Sequence, residues 1–137
     1  LMNQFVTTFP ALAALKAAVA DPVKTKGYLI GLDGRILPCR SEHAALSSLL
    51  QGFEACVHKV SLWMAFKECT DRGWVLSKDF APCVAVHDEA QWSSRPEIAE
   101  EVGKILVNSI TKTGVMLGSK CPLTGEYKIG DSWASTH

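Results

Sequence analysis

The sequence predicts an α+β fold in which antiparallel β-hairpins pack against long helices. Two observations indicate this class: stretches of apolar residues at helical spacing, and short apolar runs on either side of turn residues. The chain has 137 residues, 47% of them hydrophobic and 20% charged, which fits a globular chain with a sizeable core and excludes a disordered one. No repeat, low-complexity segment or linker divides it.

The first predicted element is helical and covers residues 1 to about 20. Its apolar positions recur at helical spacing: Leu1, Phe5, Leu12, Leu15 and Val19. A break is predicted around Phe9, after which a second helical piece begins with Pro10 in its first turn. Asp21 and Pro22 are predicted to stop this helix.

A hairpin and a long helix follow. Two short apolar runs flank Asp33 and Gly34, a pair that strongly favours a hairpin turn. Ser41 is then predicted to cap a helix over residues 42–71, which Gly73 ends. The apolar face of this helix follows the i, i+3, i+4, i+7 rule and comprises Leu46, Leu49, Leu50, Phe53, Val57, Val60 and Met64.

A third helix is predicted in the second half of the chain. The segment from Ser94 to Glu97 offers a capping box, with Pro96 early in the first turn. Gly114 is predicted to end the helix. Its expected buried stripe is Ile98, Val102, Ile105 and Leu106. Residues 121–137 are predicted to contain a strand or a hairpin.

The tip of a second hairpin, predicted over residues 82–94, departs from the usual turn chemistry. A tight two-residue turn favours Gly or Asn at positive φ, but this tip carries His87, Asp88 and Glu89. Sequences tend to break local rules where function requires it, and a rigid turn can hold a carboxylate where Mg²⁺ reaches it. On these residues alone, a solvated acidic turn is the more frequent explanation.

A polar row is predicted on the long helix, opposite its apolar face. Its members are His43, Ser47, Gln51, Glu54 and His58. The first three climb the helix by about 6 Å per step, close to the phosphate spacing of a nucleic-acid strand. These side chains suit minor-groove acceptors, sugars and phosphates, although on the row alone an ordinary solvated face is the more frequent explanation.

Charge and cysteine content set limits on partners and compartment. Lys and Arg together number 14, as do Asp and Glu, so nucleic-acid binding has to rest on local placement of residues. Five cysteines form no C-x-x-C pair, and three of them lie in apolar runs. We therefore expect reduced thiols in a cytoplasmic protein. The sequence has no signal peptide and no apolar stretch of membrane-spanning length.

Taken in order, the segments resemble the C-terminal third of a family A (polymerase I family) DNA polymerase, closest to the replicative polymerases of short-tailed bacteriophages. Essentially the full chain takes part. Five segments carry the resemblance: residues 9–15, the Gly-Leu-Asp-Gly-Arg of residues 31–35, residues 40–51, the Val-His-Asp-Glu of residues 86–89, and residues 130–137. The resemblance implies that residues 1–26 end the fingers and residues 27–137 form the C-terminal half of a partial palm, including motif C.

The resemblance implies catalytic roles for the hairpin tip. Asp88 matches the metal ligand of motif C, and Glu89 matches its weaker acidic neighbour, which is the second predicted metal ligand. The metal implied is Mg²⁺. His87 matches a residue that holds the primer terminus near the active site.

The same resemblance implies contacts with DNA. His43 and Gln51 match positions that contact the backbone and minor groove of primer–template DNA. Ser47 stands where the family usually has Asn, which puts its contact in doubt. His137 matches a His common at the end of such polymerases, without an assigned role.

The implied function of the parent protein is template-dependent, two-metal-ion transfer of a nucleotide from a dNTP to a primer 3′-OH. The motif A aspartate and the nucleotide-binding fingers helix precede residue 1 in family order. The chain alone is therefore expected to be inactive and to need an N-terminal portion, on the same chain or as a split partner. Leu1 in place of Met favours a fragment. The alternatives are a non-catalytic nucleic-acid-binding or scaffold domain with this fold, and a small hydrolase using Asp88 and Glu89.

Overall fold

A computed structural model describes residues 8–137, so the expected helical positions Leu1 and Phe5 lie outside the described residues. The chain divides into two compact units between Cys56 and Val57. Its helices and strands, in order, are α1 (Pro10–Lys26), β1 (Tyr28–Ile30), β2 (Ile36–Pro38), α2 (Ala45–Asp71), β3 (Phe80–Val86), β4 (Glu89–Ser94), α3 (Ala99–Met116) and α4 (Trp133–Thr136). Helices and antiparallel hairpins confirm the α+β class. Over residues 8–137, no helix combines the length and apolar character needed to cross a membrane.

Helix α1 begins as predicted but ends later. Pro10 occupies its first position, where a missing N–H costs nothing. The predicted stop at Asp21 and Pro22 is wrong, because the helix continues to Lys26 and Gly27 ends it in the left-handed region at φ 76°. An interior proline removes one backbone hydrogen bond, but tertiary packing of the last turn overrides this local penalty.

Burial of that last turn accounts for the continuation. Val19 and Val23, one turn apart, are 8% and 6% exposed and belong to the core of the first unit. That core also contains Leu29 of β1, and its remaining buried members are Cys39 and Ala45. Had the helix stopped at Pro22, Val23 would have left this core, losing a transfer free energy of about 1.5 kcal/mol or more.

The first hairpin is confirmed. Strands β1 and β2 pair antiparallel with Leu29 opposite Leu37. The loop between them closes through a 2.8 Å hydrogen bond from the Gly31 amide to the Arg35 carbonyl, and Gly34 adopts φ 82°. Glycine is needed there because a side chain at positive φ is strained.

Helix α2 is preceded by a single 3-10 turn over Glu42–Ala44. Ser41 occupies the N-cap position in an extended conformation, but its hydroxyl makes no capping hydrogen bond, so the predicted side-chain cap is wrong. Its backbone carbonyl instead accepts a 3.1 Å hydrogen bond from the Ala44 amide, which tightens the entry to the helix. At the other end, Gly73 follows the last turn at φ 84°, as predicted.

The buried positions of α2 are mostly small. The helix buries Ala45, Cys56, Ala65 and Cys69 almost completely. Leu50, predicted on the apolar face, is 57% exposed, whereas Leu46 and Leu49 of the same face pack half-buried against the core of the first unit. The five cysteines are free thiols; Cys39, Cys56 and Cys69 are buried, whereas Cys83 and Cys121 are exposed.

The core of the second unit forms around an aromatic group. Phe80 of β3 is 2% exposed and stacks on Trp92 of β4 with ring centroids 5.8 Å apart. Phe66 of α2 packs against the same ring at 5.7 Å, and Ile105 of α3 completes the contact set. The hairpin β3–β4 therefore packs against long helices, as predicted.

Helix α3 has the predicted buried stripe but different ends. Ile98, Val102 and Ile105 are at most 9% exposed, and Leu106 is half-buried. The predicted end at Gly114 is wrong, because this residue is buried within a helix that continues to Met116. The left-handed glycine that follows the helix is residue 118.

The predicted capping box at the start of α3 is also wrong. Ser94 ends β4, and a 3-10 turn over Pro96–Ile98 precedes the helix without a side-chain cap at Arg95. The Arg95 guanidinium instead pairs with Asp79 at 2.9 Å, and its amide donates to the Asp79 carbonyl. The segment is thus fixed to the start of β3 rather than to its own helix.

The tail is not a strand or hairpin, which corrects the expectation for residues 121–137. Residues 117–132 form no strand and lie along α3 before α4 begins. Tyr127 donates a 2.7 Å hydrogen bond to Glu100, and Thr111 donates to the Leu123 carbonyl at 2.9 Å. At Gly103 a Cβ atom would lie 2.3 Å from the Tyr127 ring, so α3 accommodates the tail through a missing side chain.

Candidate functional site

The tip of the second hairpin is a two-residue turn. Val86 lies opposite Glu89, so that His87 and Asp88 alone connect the strands. His87 adopts φ 52°, in the left-handed region that costs a residue with a Cβ about 1–2 kcal/mol. The sequence has a histidine where such a turn favours Gly or Asn, and the backbone of this histidine is indeed strained. Such strain persists where surrounding contacts impose it.

One of those contacts comes from helix α2. Nδ1 of His58 lies 2.7 Å from the backbone carbonyl oxygen of His87. A carbonyl oxygen only accepts, so Nδ1 of His58 carries the proton and donates. A hydrogen bond of this kind contributes about 1 kcal/mol, comparable to the strain at His87. The sequence placed His58 in the polar row but gave no sign of this contact, which joins residues 29 positions apart.

The carboxylate of Glu89 is held by the C-terminal segment. Its Oε1 accepts a 3.0 Å hydrogen bond from Nε1 of Trp133, and its Oε2 lies 2.8 Å from Nδ1 of His137. Gln91, two residues along β4, also donates to Oε1. The Gln91 bond, followed by those of His137 and Trp133, lowers the pKa of Glu89 although partial desolvation opposes the shift.

Asp88 differs from its neighbour. Its side chain is exposed, and it makes no hydrogen bond or ion pair with any residue in the described part of the chain. Of the two carboxylates at the tip, Asp88 is the one without a hydrogen-bonding partner among the described residues, whereas Oε1 of Glu89 accepts two hydrogen bonds and Oε2 accepts one. A single carboxylate suits Mg²⁺, which commonly takes one or two protein carboxylates and completes its shell with water and phosphate oxygens.

Residues 8–137 contain no group of three or more metal-ligating side chains. Asp88 thus offers a single carboxylate of the kind that suits Mg²⁺, outside any cluster of three ligating side chains in residues 8–137. The predicted second ligand, Glu89, has both of its oxygens engaged in the hydrogen bonds given above.

Three of the four predicted DNA-contacting residues lie in the first unit, and the fourth, His87, is the turn residue described above. His43 lies in the 3-10 turn before α2, and Ser47 and Gln51 follow on α2 four residues apart. The three side chains are exposed and hydrogen-bond to no residue among those described. Positions 47 and 51 share one helical face, as predicted, whereas His43 precedes the α-helix.

Comparison with known proteins identifies relatives of the whole chain. No family model matches it. It is 32% identical to the DNA-directed DNA polymerase of Enterobacteria phage T3 over 158 residues, and 32% identical to that of Escherichia phage T7 over 161 residues. A third relative, from Escherichia phage Phieco32, is 31% identical over 144 residues. The first two alignments include 100% of this chain, which spans 22% of the length of each relative.

A solved structure has the same fold. The POL domain of Pol1 from M. smegmatis, in complex with DNA primer-template and dNTP, superposes with a TM-score of 0.68 and 22% identity. The match covers 89% of this chain and 22% of that one. Together these similarities confirm the family resemblance predicted from the sequence and the fold that it implied.

Proposed function

We propose that this chain, which is related over its full length to DNA-directed DNA polymerases, supplies part of the active site for template-dependent DNA synthesis. It spans 22% of the length of the T3 and T7 relatives, so the rest of the active site is assigned to a further polymerase portion, on the same chain or a partner. In this proposal residues 1–26 end the fingers and residues 27–137 form the C-terminal half of the palm.

The observation that carries the proposal is the state of Asp88. It is the one carboxylate of the turn with no partner among the described residues, and the residues on both sides of it are held by contacts from outside the hairpin. Asp88 would bind Mg²⁺ together with an aspartate of the missing portion. The bound metal supplies charge stabilisation for nucleotidyl transfer to a primer 3′-OH.

The neighbours of Asp88 have supporting roles. The exposed imidazole of His87 can donate to a phosphate or sugar oxygen of the primer terminus. Glu89 is the second acidic residue of the turn, and it adds negative potential beside the metal. Deprotonation of Glu89 is favoured by its hydrogen bonds, which lower its pKa.

Contacts with primer–template DNA are assigned to the exposed row on α2. His43, Ser47 and Gln51 are hydrogen-bonding side chains without partners among the described residues, and such groups position a nucleic-acid backbone or contact minor-groove acceptors. The solved relative is in complex with primer-template and dNTP, which supports the same partners here. Because the matched relatives are phage polymerases, we place this activity in the cytoplasm of a bacterial host.

Templated primer extension tests the proposal. The chain is mixed with, or fused to, an upstream polymerase fragment that carries the missing aspartate and fingers helix, in the presence of Mg²⁺. We expect extension only when both portions are present, and a fall of about 10²-fold or more for Asp88→Ala, as for loss of a group that stabilises transition-state charge. Asp71→Ala is the control, since Asp71 is an exposed carboxylate whose one ion pair among the described residues is with Lys67.

Extension that survives Asp88→Ala rules out the assigned metal role. A fused protein that binds primer–template DNA with an affinity independent of both Mg²⁺ and Asp88, and that extends nothing, identifies instead a non-catalytic nucleic-acid-binding domain. Covalent fusion separates failed assembly from failed chemistry, because the two portions are then present at a fixed ratio and a high effective concentration.

A further inference from the structure

We infer that His58, Trp133 and His137 are positioning residues that hold the turn on both flanks of Asp88, so that Asp88 meets its metal in a fixed orientation. The inference rests on the proposed function and gives these three residues a role that the sequence did not indicate. It also gives Glu89 a defined role, which is to accept the hydrogen bonds of Trp133 and His137.

The first flank is held by helix α2. His58 donates from Nδ1 to the backbone carbonyl of His87, the residue immediately before Asp88. This bond restrains the peptide group between His87 and Asp88. It therefore also restrains the backbone position of Asp88, from which the side chain extends. Because the backbone of His87 is in the left-handed region, the turn needs such an external restraint to keep this shape.

The second flank is held by the C-terminal segment. Trp133 and His137 each donate to one oxygen of Glu89, and their rings meet edge to face at a centroid distance of 6.2 Å. Thr136 adds a 3.2 Å hydrogen bond to Oε1 of Gln91, on the same strand. Helix α4 and the residue after it therefore contact the start of β4 through three side chains. A frayed segment would not make this many hydrogen bonds.

The two restraints leave little freedom between them. Glu89 is paired with Val86 across the hairpin, so its fixed side chain also fixes the end of the turn. Only His87 and Asp88 lie between these paired residues. Catalysis by positioning is sensitive to displacement, because an error on the order of 1 Å in a reacting group can cost about 10²-fold in rate. Loosening either flank should thus impair metal-dependent chemistry without removing a ligand.

Three substitutions remove the donors and retain shape. His58→Phe and Trp133→Phe each keep an aromatic ring without the N–H, and His137→Ala removes the terminal imidazole. Asparagine tests rescue, because its side-chain amide nitrogen can stand near the position of a histidine Nδ1. His58→Asn and His137→Asn should restore the contacts. Trp63→Phe is the matched control, since Trp63 is 63% exposed and makes no hydrogen bond among the described residues.

The first measurement is made in the fused polymerase described above. We expect each donor-removing variant to lower kcat about tenfold and to raise the Mg²⁺ concentration for half-maximal activity, with primer–template affinity changed less than about twofold. His58→Asn and His137→Asn should recover most of the rate, and Trp63→Phe should behave as the unmodified protein. Unchanged kcat and magnesium dependence in the donor-removing variants overturns the inference, as does a rate loss that asparagine fails to restore.

The second measurement does not depend on activity. Proton NMR of the 137-residue chain follows exchange of the Trp133 indole N–H with solvent. The hydrogen bond to Glu89 should slow this exchange, and His137→Ala and Glu89→Gln should each accelerate it, whereas Trp63→Phe should leave it unchanged. An indole N–H that exchanges equally fast in all of these proteins shows that Trp133 is not docked on Glu89 and overturns the inference.

The two measurements separate the inference from the proposed function. If Asp88→Ala leaves extension intact while the Trp133 indole N–H still exchanges faster in His137→Ala, the metal assignment fails and the contacts of Trp133 and His137 are only structural. If Asp88→Ala abolishes extension but the donor-removing variants keep full rate, the metal assignment stands and the positioning role fails.

Discussion

Both hairpins of the described chain have a residue at positive φ between their strands, but they stabilise this conformation in different ways. The β1–β2 hairpin places Gly34 at the residue with positive φ, and its loop is closed by its own backbone and by an Asp33–Arg35 pair two residues apart. The β3–β4 hairpin places His87 at positive φ and is held by side chains 29, 44 and 48 positions distant in sequence.

The difference shows where local rules and tertiary contacts each decide the structure. A turn that follows the rules needs no outside support, and its acidic residue is neutralised within the loop. A turn that breaks the rules is held by a helix and by residues 133–137, and its central carboxylate has no partner in the part of the chain that the structure describes. A strained, supported turn with one free carboxylate is typical of a functional position.

The largest stability effect is expected in the first hairpin. Gly34→Ala should lower the free energy of unfolding of the first unit by about 1 kcal/mol, because φ 82° strains any residue with a Cβ even though no atom lies within 4 Å of that position. Urea unfolding followed by circular dichroism measures the change. Leu32→Ala, at a loop position 70% exposed, is the control and should be nearly neutral. Equal stabilities for the two variants would contradict a purely conformational need for glycine.

The corresponding change in the second hairpin should have the opposite sign. His87→Gly removes the strain at φ 52° but adds freedom to the unfolded chain, so we expect a net gain of about 0.5 kcal/mol in unfolding free energy. Ser77→Gly, at φ 63°, is a parallel case outside the turn and should also stabilise. In the fused polymerase His87→Gly should nonetheless reduce primer extension. A loss of stability instead would mean that the His87 imidazole supports the fold.

The smallest effect is expected on acidification. It should disturb only neighbouring residues in the first hairpin, but residues distant in sequence in the second. The pKa values of Asp33 and Glu89 are both lowered: at Asp33, slight desolvation is outweighed by Arg35, and at Glu89 the Gln91 bond contributes most. A lowered folded-state pKa means that the stabilisation is complete above the ordinary value and is lost as the pH falls through the folded-state value. The acid-sensitive window therefore lies below about pH 4.5, the ordinary value for Glu89.

Amide and indole NMR signals should show which residues respond to acidification in each hairpin. Below that pH, the indole N–H of Trp133 is expected to shift as the tail loosens, while in the first hairpin only Arg35 and its neighbours respond. Glu89→Gln is the control, and it should abolish the acid response of the Trp133 signal. An indole signal that titrates identically in Glu89→Gln would show that another group governs the tail.

The sequence predicted those features whose causes are local. Both hairpins and the buried stripe of Ile98, Val102 and Ile105 follow from alternation, turn residues and helical spacing. Failures came where distant contacts override a local rule. Pro22 lies within α1 because Val23 is buried, and Gly114 lies within α3 because the tail packs on it, with a Cβ there only 3.0 Å from Leu123.

In the candidate site, too, the features set by adjacent residues were predictable and those set by distant contacts were not. The departure of His87 and Asp88 from turn chemistry was visible in the sequence, because it is a property of adjacent residues. The docking of Trp133 and His137 on Glu89 was not, since no spacing rule relates a chain terminus to a strand more than 40 residues earlier. The roles of His43, Ser47 and Gln51 remain predictions that the primer-extension and DNA-binding measurements can test.

The distribution of thiols makes the second unit convenient for site-selective labelling. Burial raises the pKa of Cys69 to about 11, so its thiol stays protonated and unreactive at neutral pH. Cys83 on β3 and Cys121 in the segment after α3 are exposed, and they therefore offer attachment points for maleimide dyes. The degree of labelling at these two thiols would report the accessibility of β3 and of the segment along α3 without introducing a new cysteine.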